Sequence, residues 1–173
     1  MVRKVSLISA AVAVTLVLAP ACSKVAEKAG EKASEKLVES ESGGNADVDI
    51  KDDGVDIKTD DGTFSSTNKI PKEWPEDIPV PDDFTVAGGS TTSQGDSMMV
   101  IVVGTSKTSF DDLKAYFKGS LSDWDEVSAT EVNIGEPLFS GMYKKGDRSI
   151  QIGISDKGSS RDLSLNYASG PAQ

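Results

Sequence analysis

The chain has 173 residues, of which 18 are basic and 28 acidic, for a net charge of −10; it holds one cysteine and no histidine. That length suits one domain with appendages, and the acidic balance disfavours nucleic acid or anionic lipid as a partner of the folded part. Without histidine there is no Ser-His or Cys-His catalysis and no His-ligated metal, and one cysteine permits neither an intramolecular disulfide nor a thiolate zinc cluster.

Arg3 and Lys4 precede an uncharged apolar run from Val5 to Ala21 that ends in small residues. This is the layout of a secretory signal peptide, expected over 1–21. The run is short against the roughly 20 residues of a membrane-crossing helix, and Pro20 closes it. Ala19-Pro20-Ala21 suits ordinary signal peptidase. The same stretch resembles a bacterial lipobox, in which cleavage precedes a diacylglyceryl cysteine, although Ala19 stands where such boxes favour leucine. Both readings cut before Cys22, and losing Arg3 and Lys4 leaves 16 basic residues against 28 acidic, or −12. A leftover thiol in an exported chain invites unwanted pairing unless it is occupied. Acylation of Cys22 is therefore expected, and at about 0.8 kcal/mol per buried CH₂ several acyl chains would hold the protein on a membrane.

From 22 to 46 the text AEKAGEKASEKLVES is helix-forming, with Lys24–Glu27, Lys28–Glu31 and Lys32–Glu35 pairs at i,i+3. Its apolar stripe of Val25, Ala29, Ala33 and Leu37 is thin. A solvated helical spacer is the favoured reading, and a partner helix the alternative.

The segment 47–69 carries a repeat, VDIKDDG then VDIKTDDG, in which Val48, Ile50, Val55 and Ile57 alternate with polar residues. Two short strands forming an acidic β-hairpin with Asp-Gly turns are expected. Asp52, Asp53, Asp60 and Asp61 raise calcium as a weak alternative, but their spacing matches no EF-hand loop and turn chemistry accounts for them. Residues 70–83, IPKEWPEDIPVPDD, contain four prolines and predict a stiff connector, with Trp74, Ile78 and Val80 pinning it across the domain.

Residues 84–173 predict the folded domain. A strand opens at Phe84-Thr85-Val86, and Gln94-Gly95-Asp96 turns it. MMVIVVGT at 98–105 is apolar on both faces, which predicts a central strand at least partly covered on each side. Ser109 with Asp112 forms a capping signature, and Phe110, Leu113, Phe117, Leu121 and Trp124 make one helical stripe. Strands follow from Val127, from Leu138, through Ile150, Ile152 and Ile154, and through Leu163, Leu165 and Tyr167. The expected class is α+β: a two-layer antiparallel sheet with one packed helix, in the order β-β-α-β-β-β-β.

The succession of lipobox, EKA-rich spacer, VDIKTDDG hairpin, WPEDIPVP connector and strand-strand-helix-strand domain resembles a group of uncharacterised bacterial envelope lipoproteins. The resemblance implies a lipid-anchored place on the exported side of a cell membrane, periplasmic or extracellular. It carries over no catalytic residue. Only carboxylate chemistry remains for an enzyme, and the pairs Asp82/Asp83, Asp111/Asp112 and Asp123/Asp125 each have a plain structural explanation as turn, helix cap and helix end. The expectation is therefore a non-enzymatic binding or interaction module without cofactor. Its partners would be the membrane through Cys22 and an envelope protein or cell-wall component, and the alternative is a structural or stress-related lipoprotein. Met98, Met142 or Tyr143 exposed on the outer sheet face would mark a binding surface.

Overall fold

A computed structural model describes residues 46–133 and 135–171. The signal peptide, Cys22 and almost all of the spacer lie outside these residues.

Strands make up most of the described chain. They are β1 (Asp47–Lys51), β2 (Gly54–Thr59), β3 (Gly62–Thr67), β4 (Thr85–Gln94), β5 (Ser97–Ser106), β6 (Asp125–Val132), β7 (Leu138–Lys145), β8 (Arg148–Asp156) and β9 (Arg161–Ser169). A single helix, α1 (Phe110–Ser120), separates β5 from β6. All nine strands belong to one sheet in the order β1-β2-β3-β4-β5-β9-β8-β7-β6, and every pairing is antiparallel.

This architecture corrects the two-layer α+β expectation in two ways. First, the segment after the acidic repeat is a third strand: GTFSST pairs with β2, and its Thr63–Thr67 side pairs with β4 from Gly89 to Ser93. The expected hairpin is thus the first part of a three-strand meander that extends the main sheet. Second, an 11-residue helix is about 16 Å long. Nine strands spaced about 4.8 Å apart span roughly 40 Å, so α1 cannot form a layer matching the sheet.

The meander's turns also differ from the Asp-Gly reading. Lys51 pairs with Gly54 and Thr59 with Gly62, so Asp52-Asp53 and Asp60-Asp61 are the two-residue turns and each glycine opens the next strand. Gly54 is needed there because a Cβ would lie 1.8 Å from the carbonyl oxygen of Ser66.

One sheet face carries the core. Val100 and Val102 of β5, Ile150, Ile152 and Ile154 of β8, and Leu163, Leu165 and Tyr167 of β9 pack with Phe110, Leu113, Phe117, Leu121 and Trp124. The Ser109 hydroxyl caps α1, accepting from the Asp112 N–H at 3.2 Å while donating to the Asp112 carboxylate at 2.6 Å.

The proline-rich connector shares this face. Ile78 is buried, and Trp74 and Val80 pack against the core, with Trp74 edge-on to Tyr167 at 6.5 Å. Trp74 Nε1 donates to the Ile78 carbonyl at 2.8 Å, and the Tyr116 hydroxyl donates to the Val80 carbonyl at 2.8 Å. Arg148 grips Asp77 bidentately at 2.9 and 2.7 Å with its guanidinium 4.8 Å from the Trp124 ring centre. Gly89 lets the connector pass, because a Cβ there would come within 2.7 Å of Pro71.

Candidate interaction surface

Residues paired across strands share a face, and the faces alternate along each strand. The registers therefore define a second face, opposite α1 and the connector. On β5 it carries Met99, Ile101, Val103 and Thr105; their neighbours on β9 are Ala168, Asn166, Ser164 and Asp162. Ser149, Gln151, Gly153 and Ser155 continue it on β8, then Leu138, Ser140, Met142 and Lys144 on β7. Towards the other edge it runs through Ser90 and Thr92 of β4 to Phe64 of β3, Val55 and Ile57 of β2, and Val48 and Ile50 of β1.

This pattern corrects the reading of β5. The strand is central, but only its even-numbered side is covered. Val100 and Val102 are fully buried, whereas Met99 is 44% exposed and Val103 40%. Neither the meander nor the connector lies over them, since the meander extends the sheet sideways and the connector sits with α1. Across the face only Asp125, Lys144 and Asp162 are charged among the described strand residues, in a chain with 28 acids.

The surface has relief. Met99, Ile101 and Val103 form a ridge along β5, and Leu138, 48% exposed, and Met142 form another on β7. Between them runs a strip of second-face residues of β9 and β8, short at Ser164, Ala168, Gly153 and Ser155 and long at Asn166 and Gln151. The groove of about 440 Å³ at one end of this strip is bounded by Ala87 and Val103 on one side and Leu138 on the other, with Gly153 and Ser164 between. Asn166 donates to the Ser164 hydroxyl at 3.2 Å and Gln151 to the Ser140 hydroxyl at 3.4 Å, so these polar groups serve one another.

The three methionine and tyrosine markers divide between the faces. Tyr143 is buried in the core and Met98 packs against it, so neither marks the outer face. Met142 does lie there, half-buried. The stronger apolar residues, Met99 and Val103, lie in a run of six apolar residues that predicts at least partial cover on each side, so the pattern does not single them out.

The acidic candidates are separated or occupied. Asp52-Asp53 and Asp60-Asp61 sit at opposite ends of β2, roughly 20 Å apart at about 3.3 Å per residue. The two pairs cannot share one calcium ion, and among the described residues no group of three acidic, cysteine or histidine side chains is placed to hold a metal. Asp53 pairs with Lys69 at 3.0 Å, which holds its carboxyl below the usual range.

Among the carboxylate pairs, Asp111 bridges to Lys114 at 2.8 Å, Asp112 completes the helix cap, and Asp123 pairs with Lys145. Asp125 opens the outermost strand β6, exposed like all of that strand. Asp82 is exposed beside Asp83. Asp83 accepts from the Ser106 hydroxyl at 2.6 Å, the N–H groups of Lys107 and Thr108 at 2.7 and 3.0 Å, and the Thr108 hydroxyl at 3.2 Å. The Ser106 bond, helped by the two N–H groups, holds the Asp83 carboxyl below the usual carboxylate range. These geometries tie the connector and helix to the sheet.

The fold and surface together describe a single-sheet β protein with one covered face and one open, nearly uncharged face. No family model matches the chain, and neither a curated protein nor a solved structure matches it.

Proposed function

We propose that this chain is a lipoprotein of the bacterial envelope, held on the exported side of a membrane by acylated Cys22, and that its sheet is a non-catalytic interaction module. The observation that carries the reading is the second face. An acid-rich protein keeps almost all of its charge off one broad surface and places Met99, Val103 and Leu138 there in solvent. Apolar residues with few charges are the composition of an interface centre. The anchor reading draws on the sequence before Cys22 and on the absence of any other role for the thiol.

Two measurements test the halves separately. Palmitate labelling of wild type and Cys22→Ala in the native host tests the anchor, which fails if both label equally. A photo-crosslinking residue placed at Val103 tests the module, with one at Lys58, exposed on the other face, as control. Discrete adducts from position 103 and none from 58 support the reading, and no adduct from either sinks it.

A further inference from the structure

We infer that the end of the spacer, residues 37–45, folds back over the β1–β2 end of the second face and seats Leu37 and Val38 on Val48. The inference goes beyond the interaction module. It depends neither on a partner at Met99 and Val103 nor on the acylation of Cys22.

The observation is a reversed gradient of burial. On an open sheet face the inner strands are better shielded than the edge, because side chains there have neighbours on both flanks. Here Phe64 on β3 is 38% exposed and Met99 on β5 44%, whereas Val48 on the edge strand β1 is 8% exposed and Ala46, just before it, 8%. Val48 meets Ile57 on one flank and has no strand on the other. In-plane neighbours shield a side chain's flanks and leave its tip in water, so a residue this buried has other atoms above it. The core does not supply them. Val48 and Ala46 stand apart from the cluster beneath α1 and the connector, which occupies the opposite face.

Position along the chain identifies the cover. Outside the described residues are 1–45, 134, 172 and 173. Residue 134 lies between β6 and β7, at the far edge of the sheet. Residues 172 and 173 follow β9, which is five strand spacings or about 24 Å from β1, and two residues reach at most about 7 Å. That leaves the segment leading into Ala46.

Within that segment residues 39–45, ESESGGN, offer no apolar side chain, and Gly43-Gly44 lets the chain reverse. Leu37 and Val38 are the first large apolar residues back from β1. They meet a surface of matching character: Val48, Ile50, Val55 and Ile57 present no charge on this face, while Asp47, Asp49, Asp56 and Lys58 belong to the other. Docked there, the spacer shields the apolar side of the edge strand and sets which edge of the sheet leads towards Cys22. Met99 and Val103, four strand spacings or about 19 Å from β1, stay clear of it.

Alkylation of Val48→Cys by a water-soluble maleimide tests this on the full-length protein in a lysate of its native host. Quantifying the labelled peptide by mass spectrometry reads Cys22 separately. Val48→Cys should react at least about tenfold more slowly than Lys58→Cys, whose position is exposed. Adding Leu37→Asp and Val38→Asp should raise the Val48→Cys rate to that of Lys58→Cys and leave Lys58→Cys unchanged. Equal rates without the aspartates overturn the proposal. So does slow labelling that the aspartates do not change, which would assign the cover to another part of the chain. If Val48→Cys melts below wild type, a photo-crosslinking residue at exposed Thr59, two positions beyond Ile57 on this face, decides instead. A bond to residues 33–42 at single-chain mass supports the docked segment, and a bond to another chain, or none, overturns it.

Discussion

Val102 and Val103 are chemically identical neighbours on β5, yet one is fully buried and the other 40% exposed. The same division separates Val100 from Met99 and Ile101. The covered side meets α1 and the connector, tied down by Tyr116 to Val80, Arg148 to Asp77 and Ser106 to Asp83. Nothing among the described residues covers Met99 or Val103 on the open side, whereas Val48, at that face's far edge on β1, is buried. Burial here is decided by what lies across from a strand face, and the hydrophobicity of the strand itself does not reveal it. The difference implies that the covered face stabilises the fold, while the open face is free to serve a partner.

The sharpest test exchanges the same residue on either side. Val102→Lys puts an unpaired ammonium among Leu165, Leu113 and their neighbours, and the chain should fail to fold. Val103→Lys should give a cooperative melt close to wild type. If both variants fold, or neither does, the two-face description is wrong. Slightly smaller, and confined to the covered side, Phe117→Ala removes a ring that is 1% exposed and should cost about 3–5 kcal/mol, read as a lower denaturant midpoint.

How far the sequence discloses this division depends on the segment. Ile150, Ile152 and Ile154 alternate with polar residues, so both their strand and their buried face are legible. The stripe of Phe110, Leu113 and Phe117 is equally plain, because three- and four-residue spacing with a Ser109 cap has one simple solution. The helix stops at Ser120, however, so Leu121 as its C-cap and Trp124 in the turn beyond reach the core without being helical. MMVIVV has no alternation, and period alone cannot say which half is covered. β3 leaves little trace in the sequence because GTFSST offers Phe64 as its one large apolar residue, and its place is set by pairing with β2 and β4. The continuous sheet, and with it the second face, is thus a long-range property carried by register.

The straps over the covered face should show effects of intermediate size. Tyr116→Phe removes the hydrogen bond to the Val80 carbonyl and should cost about 1 kcal/mol in a chemical melt. Asp77 and Asp83 add a pH dependence whose sign is determined. Hydrogen bonds from Arg148 and from Ser106, respectively, hold their carboxyls below the ordinary value of 3.8. Their contribution is complete above the unfolded-state pKa and is lost as pH falls through the lowered folded-state values. Melting temperature should therefore fall in acid, and Asp83→Asn should flatten that fall while leaving the neutral-to-alkaline profile parallel to wild type. An unchanged acid limb would mean that Asp83 does not bind the Ser106–Thr108 loop in solution.

The smallest effect belongs to the open face, and it separates a surface kept for stability from one kept for recognition. Val103→Thr conserves shape and β-propensity while replacing a methyl with a hydroxyl that solvent can satisfy. Its stability should change by less than about 0.5 kcal/mol, as for other surface positions. A difference of about 1–2 kcal/mol would mean that Val103 is covered within the chain. The second face would then be part of the protein's own core.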